Sequence, residues 1–354
     1  MKIVTIVGAR PQFIKSFVVS REIKKKHEEI LVHTGQHYDY EMNKIFFDEL
    51  GISKPDYNLG VGSASQGKQT GEMLKRIEKI LLKEKPDIVL VYGDTNSTLS
   101  GALAAVKLHI HVGHVEAGLR SFDKNMPEEV NRVLTDHSSN YLFAPTKTGV
   151  FNLKNEGIKE GVHLTGDVMY DALLFNLKIA EKSDILERLG VKTKEYLLAT
   201  IHRQSNTDSL ENLKTIIEAF SSSDEKIVFP VHPRTLKFIK ENKLEKKTSK
   251  NVIVTKPVGY LDFIFLQKNA KKVLTDSGGI QKEAYLLKVP CITIRDNTEW
   301  IETVEDGWNI LVGSNKETIL NSIKKFKPKG KQRMVFGDGQ ASKKIVNLLN
   351  QTKG

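Results

Sequence analysis

His114-Val-Glu-Ala-Gly-Leu-Arg-Ser-Phe-Asp-Lys-Asn-Met-Pro-Glu-Glu-Val-Asn-Arg132 overlaps the end of the apolar run at 110–115 and carries four carboxylates, three cationic side chains and one histidine. A strand, a charged loop and a helix entered at Pro127 follow the order in which open α/β sheets present their chemistry, at the carboxyl end of a strand. On either side of this stretch, apolar runs at 2–7, 29–33, 87–92, 110–115 and 140–144 alternate with helical patterns at 11–26, 40–50, 67–83, 96–107 and 127–138. Such alternation predicts a parallel sheet with crossover helices. A second series, with strands at 196–201, 226–231, 252–255, 271–275, 290–294 and 309–312, repeats the arrangement. The fold class is α/β: two Rossmann-like doubly wound domains facing a cleft. The first is expected at 1–167 and the second at 168–336, with a final helix at 337–354 returning to the first after the turn at Phe336–Gly339.

A chain of 354 residues, 39% of them hydrophobic, supports two such cores. The single cysteine, Cys291, lies in the apolar run Pro-Cys-Ile-Thr-Ile. That suits a buried thiol in a reducing compartment and excludes an internal disulfide framework, so a cytoplasmic protein is expected. Neither a signal peptide nor a membrane-spanning run is legible. The net charge of +11 resides largely in lysine-rich stretches at 24–26, 240–250 and 324–331. Apart from Phe326 these lack interleaved aromatics and read as solvated helix ends and loops, so neither nucleic acid nor membrane is expected as a partner. An anionic small molecule remains.

Several loops carry chemistry. Gly8-Ala-Arg-Pro-Gln-Phe-Ile-Lys15 follows the first strand where a dinucleotide fold would have Gly-x-Gly-x-x-Gly. Its Arg10 and Lys15 offer cations to an anion, or decorate a capped helix start. Tyr92-Gly-Asp-Thr-Asn-Ser-Thr98 puts Asp94 at a strand end, where a helix N-cap and an acid/base residue both fit. His109 and His111 share a strand face that His114 does not, and no zinc spacing is present, so no metal is expected. Thr200-Ile-His-Arg-Gln-Ser-Asn206 and Pro230-Val-His-Pro-Arg234 end two strands of the second series with His/Arg pairs suited to anions. Leu274-Thr-Asp-Ser-Gly-Gly-Ile-Gln-Lys-Glu-Ala284 is the strongest local signal: a strand, a glycine turn and a helix N-terminus fit to hold a phosphate.

With these motifs in this order, the sequence resembles the non-hydrolysing UDP-N-acetylglucosamine 2-epimerase family over essentially its whole length. The carrying segments are Gly8–Lys15, Gly93-Asp-Thr95, His114–Ser121, Met126–Arg132, His202-Arg203 and Thr275–Ala284. The resemblance implies a glycosyltransferase-B-like fold, no nicotinamide or other cofactor, no required metal, usually a homodimer, and inversion of C2 by elimination and re-addition of UDP. It assigns Asp94, Glu116 and Glu128 to acid/base work, with His202 and Arg10 near the leaving diphosphate. Ser277, Gly278 and Gly279 would hold the phosphates, Glu283 the ribose, and Phe263 would stack on uracil. Lys15, Arg295, Lys282 and Trp300 complete the implied substrate contacts. Crowded carboxylates would raise one another's pKa and keep one protonated. Arg120, Asp123, Glu129 and Arg132 are left to hold the loop in shape.

Departures bear on substrate. Glu299-Trp-Ile-Glu302 stands where the family usually has Glu-Arg-Pro-Glu, and Lys282 where it has an acidic residue. These features look like the subfamily acting on UDP-2,3-diacetamido-2,3-dideoxyglucuronate, with UDP-N-acetylglucosamine as the alternative. Lys282 would then meet a uronate carboxylate or be a solvated helix charge. Ser205 replaces a frequent glutamate near His202, and Gln36-His-Tyr-Asp39 only partly matches a segment that binds an activating UDP-N-acetylglucosamine in bacterial relatives. A glycosyltransferase of the same architecture and a non-catalytic UDP-sugar sensor are the competing readings.

Overall fold

The computed structural model describes residues 1–36, 54–244 and 248–351, apart from the side chains of Arg10, Pro233 and Arg234. It divides into two units: Met1–Leu174 with Met334–Gly354, and Phe175–Arg333.

The first unit contains β1 (Lys2–Val7), α1 (Arg10–Ile23), β2 (Glu28–His33), β3 (Tyr57–Asn58), α2 (Gln66–Glu84) and β4 (Ile88–Tyr92). It continues through α3 (Asn96–Lys107), β5 (His111–Val115), α4 (Pro127–His137), β6 (Tyr141–Ala144), α5 (Lys147–Asn155) and β7 (Val162–Leu164). The seven strands are parallel, in the order β3-β2-β1-β4-β5-β6-β7. β4, Ile-Val-Leu-Val-Tyr, is buried along its whole length, as a central parallel strand covered on both faces must be. α2 buries Met73, Ile77, Ile80 and Leu81, the spacing that gives a helix one apolar stripe. β3 and β7 were not legible as strands: they are two and three residues long, too short for a period to register. The helix expected at 40–50 lies outside the described residues.

α6 (Val168–Ala180) runs through the division between the units, which falls at Leu174/Phe175. The second unit then contains α7 (Ile185–Arg188), β8 (Leu197–Thr200), α8 (Gln204–Thr207), α9 (Leu210–Ser221), β9 (Ile227–Pro230), α10 (Pro233–Glu241) and β10 (Val252–Thr255). After these come α11 (Tyr260–Asn269), β11 (Lys272–Thr275), α12 (Gly278–Leu286), β12 (Cys291–Thr293), α13 (Ile301–Glu305), β13 (Asn309–Leu311) and α14 (Lys316–Lys325). Its sheet is also parallel, in the order β10-β9-β8-β11-β12-β13. The last helix, α15 (Ala341–Gln351), belongs to the first unit, where it packs on α1. Asp171 receives its first amides, from Ala341 at 3.0 Å and Ser342 at 2.8 Å.

In each sheet the chain reverses its direction of strand addition once, between β1 and β4 and between β8 and β11. Ligands of open α/β sheets bind at the strand C-termini beside such a switch. Gly8–Lys15 and Gly93–Thr95 flank the first switch, and His202-Arg203 and Asp276–Gly279 flank the second.

Candidate active site

At the first switch, Gln12 ties the two loops together. Its Oε1 accepts from the amides of Gly8 at 2.7 Å and Ala9 at 3.0 Å, while its Nε2 donates to the Tyr92 carbonyl at 2.6 Å. The approach is close: a side chain at Gly8 would meet Ser97 Oγ at 2.0 Å. Thr95 is the N-cap of α3, its hydroxyl facing the Thr98 amide at 3.4 Å, so the cap reading of Asp94 gives way. The Asp94 carboxylate instead accepts from Arg132 at 2.6 and 3.1 Å. Lys15 and Glu116 form an ion pair, and both side chains are largely buried. A Cβ at Gly93 would sit 3.5 Å from both Lys15 Nζ and Glu116 Oε2.

Glu116 has φ +80°, a left-handed conformation that costs a non-glycine residue about 1–3 kcal/mol. The loop after it is over-determined. Asp136 Oδ2 accepts from the Gly118 amide at 3.0 Å and pairs with Arg120 at 2.7 Å, and Arg120 also reaches Glu156 at 2.7 Å. Burial alone would raise the Asp136 carboxyl, but His114 and Arg120 outweigh it and hold it below the usual range. Glu129 accepts from Ser121 N at 2.8 Å, Phe122 N at 3.0 Å and Arg132 at 2.8 Å. Arg120, Glu129 and Arg132 thus hold the loop, while Asp123 is exposed and accepts only locally, from Asn125 N at 3.0 Å. Glu128 is exposed on the first turn of α4. Asp94 pairs with Arg132, which it shares with Glu129, and Glu116 pairs with Lys15.

At the second switch Asp276, fully buried, plays the part that Gln12 plays at the first. It accepts from the amides of His202 at 3.1 Å and Arg203 at 3.0 Å, and from Asn206 Nδ2 at 3.0 Å. The His202 ring is partly exposed, its Nδ1 3.7 Å from Asp276. Ser277 is the N-cap of α12 and makes no side-chain capping bond. The first helical amides, from Gly278 and Gly279 on, have no intrahelical acceptor, which suits them to an anion. Glu299 borders this turn: a Cβ at Gly278 would lie 3.2 Å from its carboxylate. Arg295 at 2.9 Å and Arg203 at 3.0 Å bind Glu299. Burial pushes the Glu299 carboxyl up, but the two arginines prevail and hold it below its ordinary range.

The two departures from the family pattern touch each other. Lys282 Nζ lies 4.2 Å from the centroid of the Trp300 ring. Lys282 is 2% exposed, which overturns its reading as a solvated helix charge. Glu283 is buried and accepts from Tyr260 OH at 3.3 Å. Phe263, on α11, is half-buried against the unit's core. Gln36 Oε1 accepts from Ser97 Oγ at 2.7 Å, whereas His37, Tyr38 and Asp39 lie outside the described residues, as do the side chains of Arg10 and Arg234.

Gln12, Asp136, Asp276 and Glu299 were not singled out from sequence. Gln12 carried a signal for its role, a glutamine in the first turn after a proline, able to reach back to the amides before the helix.

Two parallel α/β units, each with cationic and carboxylate side chains gathered at its switch point, define an α/β enzyme of glycosyltransferase-B-like build. The chain belongs to the UDP-N-acetylglucosamine 2-epimerase family, which it matches over residues 21–350, and it is accordingly an isomerase, a UDP-sugar 2-epimerase. It is 64% identical over 354 residues, 99% of both chains, to a UDP-N-acetylglucosamine 2-epimerase homolog of Methanococcus maripaludis. It is 48% identical over 360 residues, again 99% of both, to the UDP-2,3-diacetamido-2,3-dideoxy-D-glucuronate 2-epimerase of Pseudomonas aeruginosa. The crystal structure of Methanocaldococcus jannaschii UDP-GlcNAc 2-epimerase in complex with UDP-GlcNAc and UDP is similar with a TM-score of 0.90 at 50% identity, covering 99% of this chain and 100% of that one. Among the described residues no helix is long and apolar enough to cross a membrane.

Proposed function

We propose that the chain inverts C2 of a UDP-2-acetamido hexose by anti elimination and re-addition of UDP, the first unit supplying acid/base carboxylates and the second the nucleotide seat. No carbonyl acidifies the C2 proton, so departure of UDP from C1 must assist its removal. A base at C2 and stabilisation of the leaving diphosphate are the two requirements. The observation that carries the reading is the buried Lys15–Glu116 pair beside Gly93 at the first switch. A carboxylate fixed against an ammonium is in the form that accepts a proton. Asp94, set by Arg132, and Glu128, at the start of α4, are the other acid/base residues of this reading. Ser277, Gly278 and Gly279, with Arg295 and His202 nearby in the same unit, supply donors for the diphosphate. Glu116→Gln should abolish deuterium uptake at C2 while leaving UDP binding nearly intact; uptake at the wild-type rate removes Glu116 from the mechanism.

The preferred substrate is UDP-2,3-diacetamido-2,3-dideoxyglucuronate, converted from gluco to manno. What supports this is the buried Lys282–Trp300 stack, formed by the two positions that depart from the family pattern, together with the Pseudomonas relative. UDP-N-acetylglucosamine, giving UDP-N-acetylmannosamine, is the second reading. The Methanocaldococcus enzyme favours it. Steady-state kcat/KM for both sugars decides: a far higher value for UDP-N-acetylglucosamine reverses the order.

A further inference from the structure

His114 is completely buried at the end of β5, and both of its ring nitrogens meet oxygen. Nε2 lies 2.7 Å from the Gly93 carbonyl and Nδ1 lies 2.6 Å from Asp136 Oδ1. A carbonyl oxygen can only accept, so Nε2 carries a proton and donates it. The contact between Nδ1 and Oδ1 therefore needs a second proton, held by nitrogen or by oxygen, since two lone pairs would repel at that distance. The pair is joined to the two loops that bear the acid/base carboxylates. The Gly93 carbonyl is the peptide oxygen immediately before Asp94. Asp136 takes the Gly118 amide at 3.0 Å, two residues beyond Glu116, and Arg120 at 2.7 Å. Asn131, on the same helix as Asp136, donates to the Asp94 carbonyl at 3.0 Å. A buried histidine is thus the link between the end of β4, the end of β5 and α4.

We infer that His114 and Asp136 form a positioning pair for the reaction: through the proton between them, the Gly93 carbonyl and the Gly118 amide, they fix Asp94 and Glu116 relative to each other. The inference rests on the C2-inversion reading, and it adds residues that do not touch substrate. Two features mark positioning rather than packing. Hydrogen-bonding groups occupy both ends of the ring, and they act on backbone atoms of the two reactive loops rather than on the apolar core. The conformation they hold is strained at Glu116, a non-glycine residue at φ +80°. Loosening either tie would let the Glu116 carboxylate move away from its place beside Lys15. A misplacement of about 1 Å at a reacting group costs about 100-fold in rate.

The test combines a spectroscopic and a kinetic measurement on the full-length protein. In 1H NMR of the wild type, the proton between His114 and Asp136 should give a strongly deshielded resonance. It should vanish in His114→Gln and Asp136→Asn and persist in Met73→Ala, a core variant of the same unit. Asp136→Asn should lower kcat about 100-fold, with KM and UDP affinity changed by less than about threefold. Met73→Ala, equally or more destabilised, should keep its kcat. A wild type without the resonance overturns the inference even if both variants fail to fold. So does a folded Asp136→Asn variant with wild-type kcat, or a parallel loss of kcat in Met73→Ala. A wild type that exchanges no C2 hydrogen on any UDP-sugar refutes the reading of function instead, and the resonance still decides whether the proton is held.

Discussion

Replacing Glu129 with glutamine removes one charge and reverses one hydrogen-bonding end inside the loop that carries Glu116. In the native loop Oε2 accepts from Ser121 N at 2.8 Å, Ser121 Oγ at 2.9 Å and Arg132 at 2.8 Å, and Oε1 accepts from Phe122 N at 3.0 Å. A glutamine must turn its NH2 toward one of these groups. The less costly choice faces Phe122 N, losing one bond to a charged acceptor, worth about 1.5–3 kcal/mol. The three remaining bonds lose their charge assistance, although Arg132 keeps Asp94 at 2.6 Å. The expected total is about 3 kcal/mol, or about 6–12 °C in the melting temperature of a unit this size.

The pH dependence of this loss is fixed in sign. Burial raises the Glu129 carboxyl, but the amides of Ser121 and Phe122, with Arg132, outweigh burial and hold it below its usual range. A depressed carboxyl contributes stability that is present above the unfolded value, about 4.3, and is lost as pH falls through the lower folded value. The gap between wild type and Glu129→Gln should therefore be full at pH 7 and close on acidification below about pH 4. Thermal unfolding at a series of pH values reads the gap, and hydrogen exchange at Ser121 and Phe122 localises it. A gap under about 0.5 kcal/mol at pH 7, or one that widens toward acid, refutes the reasoning.

Gly118→Ala should be worse, costing about 3 kcal/mol or more, because the new Cβ would lie 2.3 Å from the Gly149 carbonyl oxygen at a φ of +79°; a melting temperature unchanged by the substitution would contradict this. Asp276→Asn should weaken UDP binding at least about 10-fold in calorimetry, since it loosens the His202 and Arg203 amides beside the phosphate turn. An unchanged Kd would leave Asp276 without a role in the seat. Cys291 should resist alkylation until the second unit opens, because burial pushes its thiol up to about 12; rapid labelling of the native protein would show that the strand is accessible.

Much of the fold was legible because the chain writes it twice in one pattern. β1 falls on the expected residues because a buried parallel strand reads as an apolar run, and α2 falls within one residue of its expected bounds because it carries an apolar stripe. β3 and β7 escaped because a few residues paired at the sheet edge leave no period. At the site, the charge-dense loops announced themselves, but the groups that brace them did not. Asp136 sits among residues of ordinary composition and Asp276 in a turn read for its serine and glycines, and their role appears only when a fold brings Gly118 or His202 against them. The Lys282–Trp300 stack was equally hidden: two departures 18 positions apart read as separate substrate contacts until α12 and the loop before α13 place them together. Glu116 had no sequence signal for its positive φ, which a nearby glycine would have been expected to absorb.

Inversion of C2 through loss and return of UDP leaves a label that can be followed. NMR of the wild-type enzyme with each UDP-sugar in deuterated water tests it most directly. Deuterium should appear at C2 of both epimers, with a small pool of free UDP that forms and is consumed with turnover. Epimers that retain protium at C2, or UDP released only when a sugar acceptor is supplied, would contradict it.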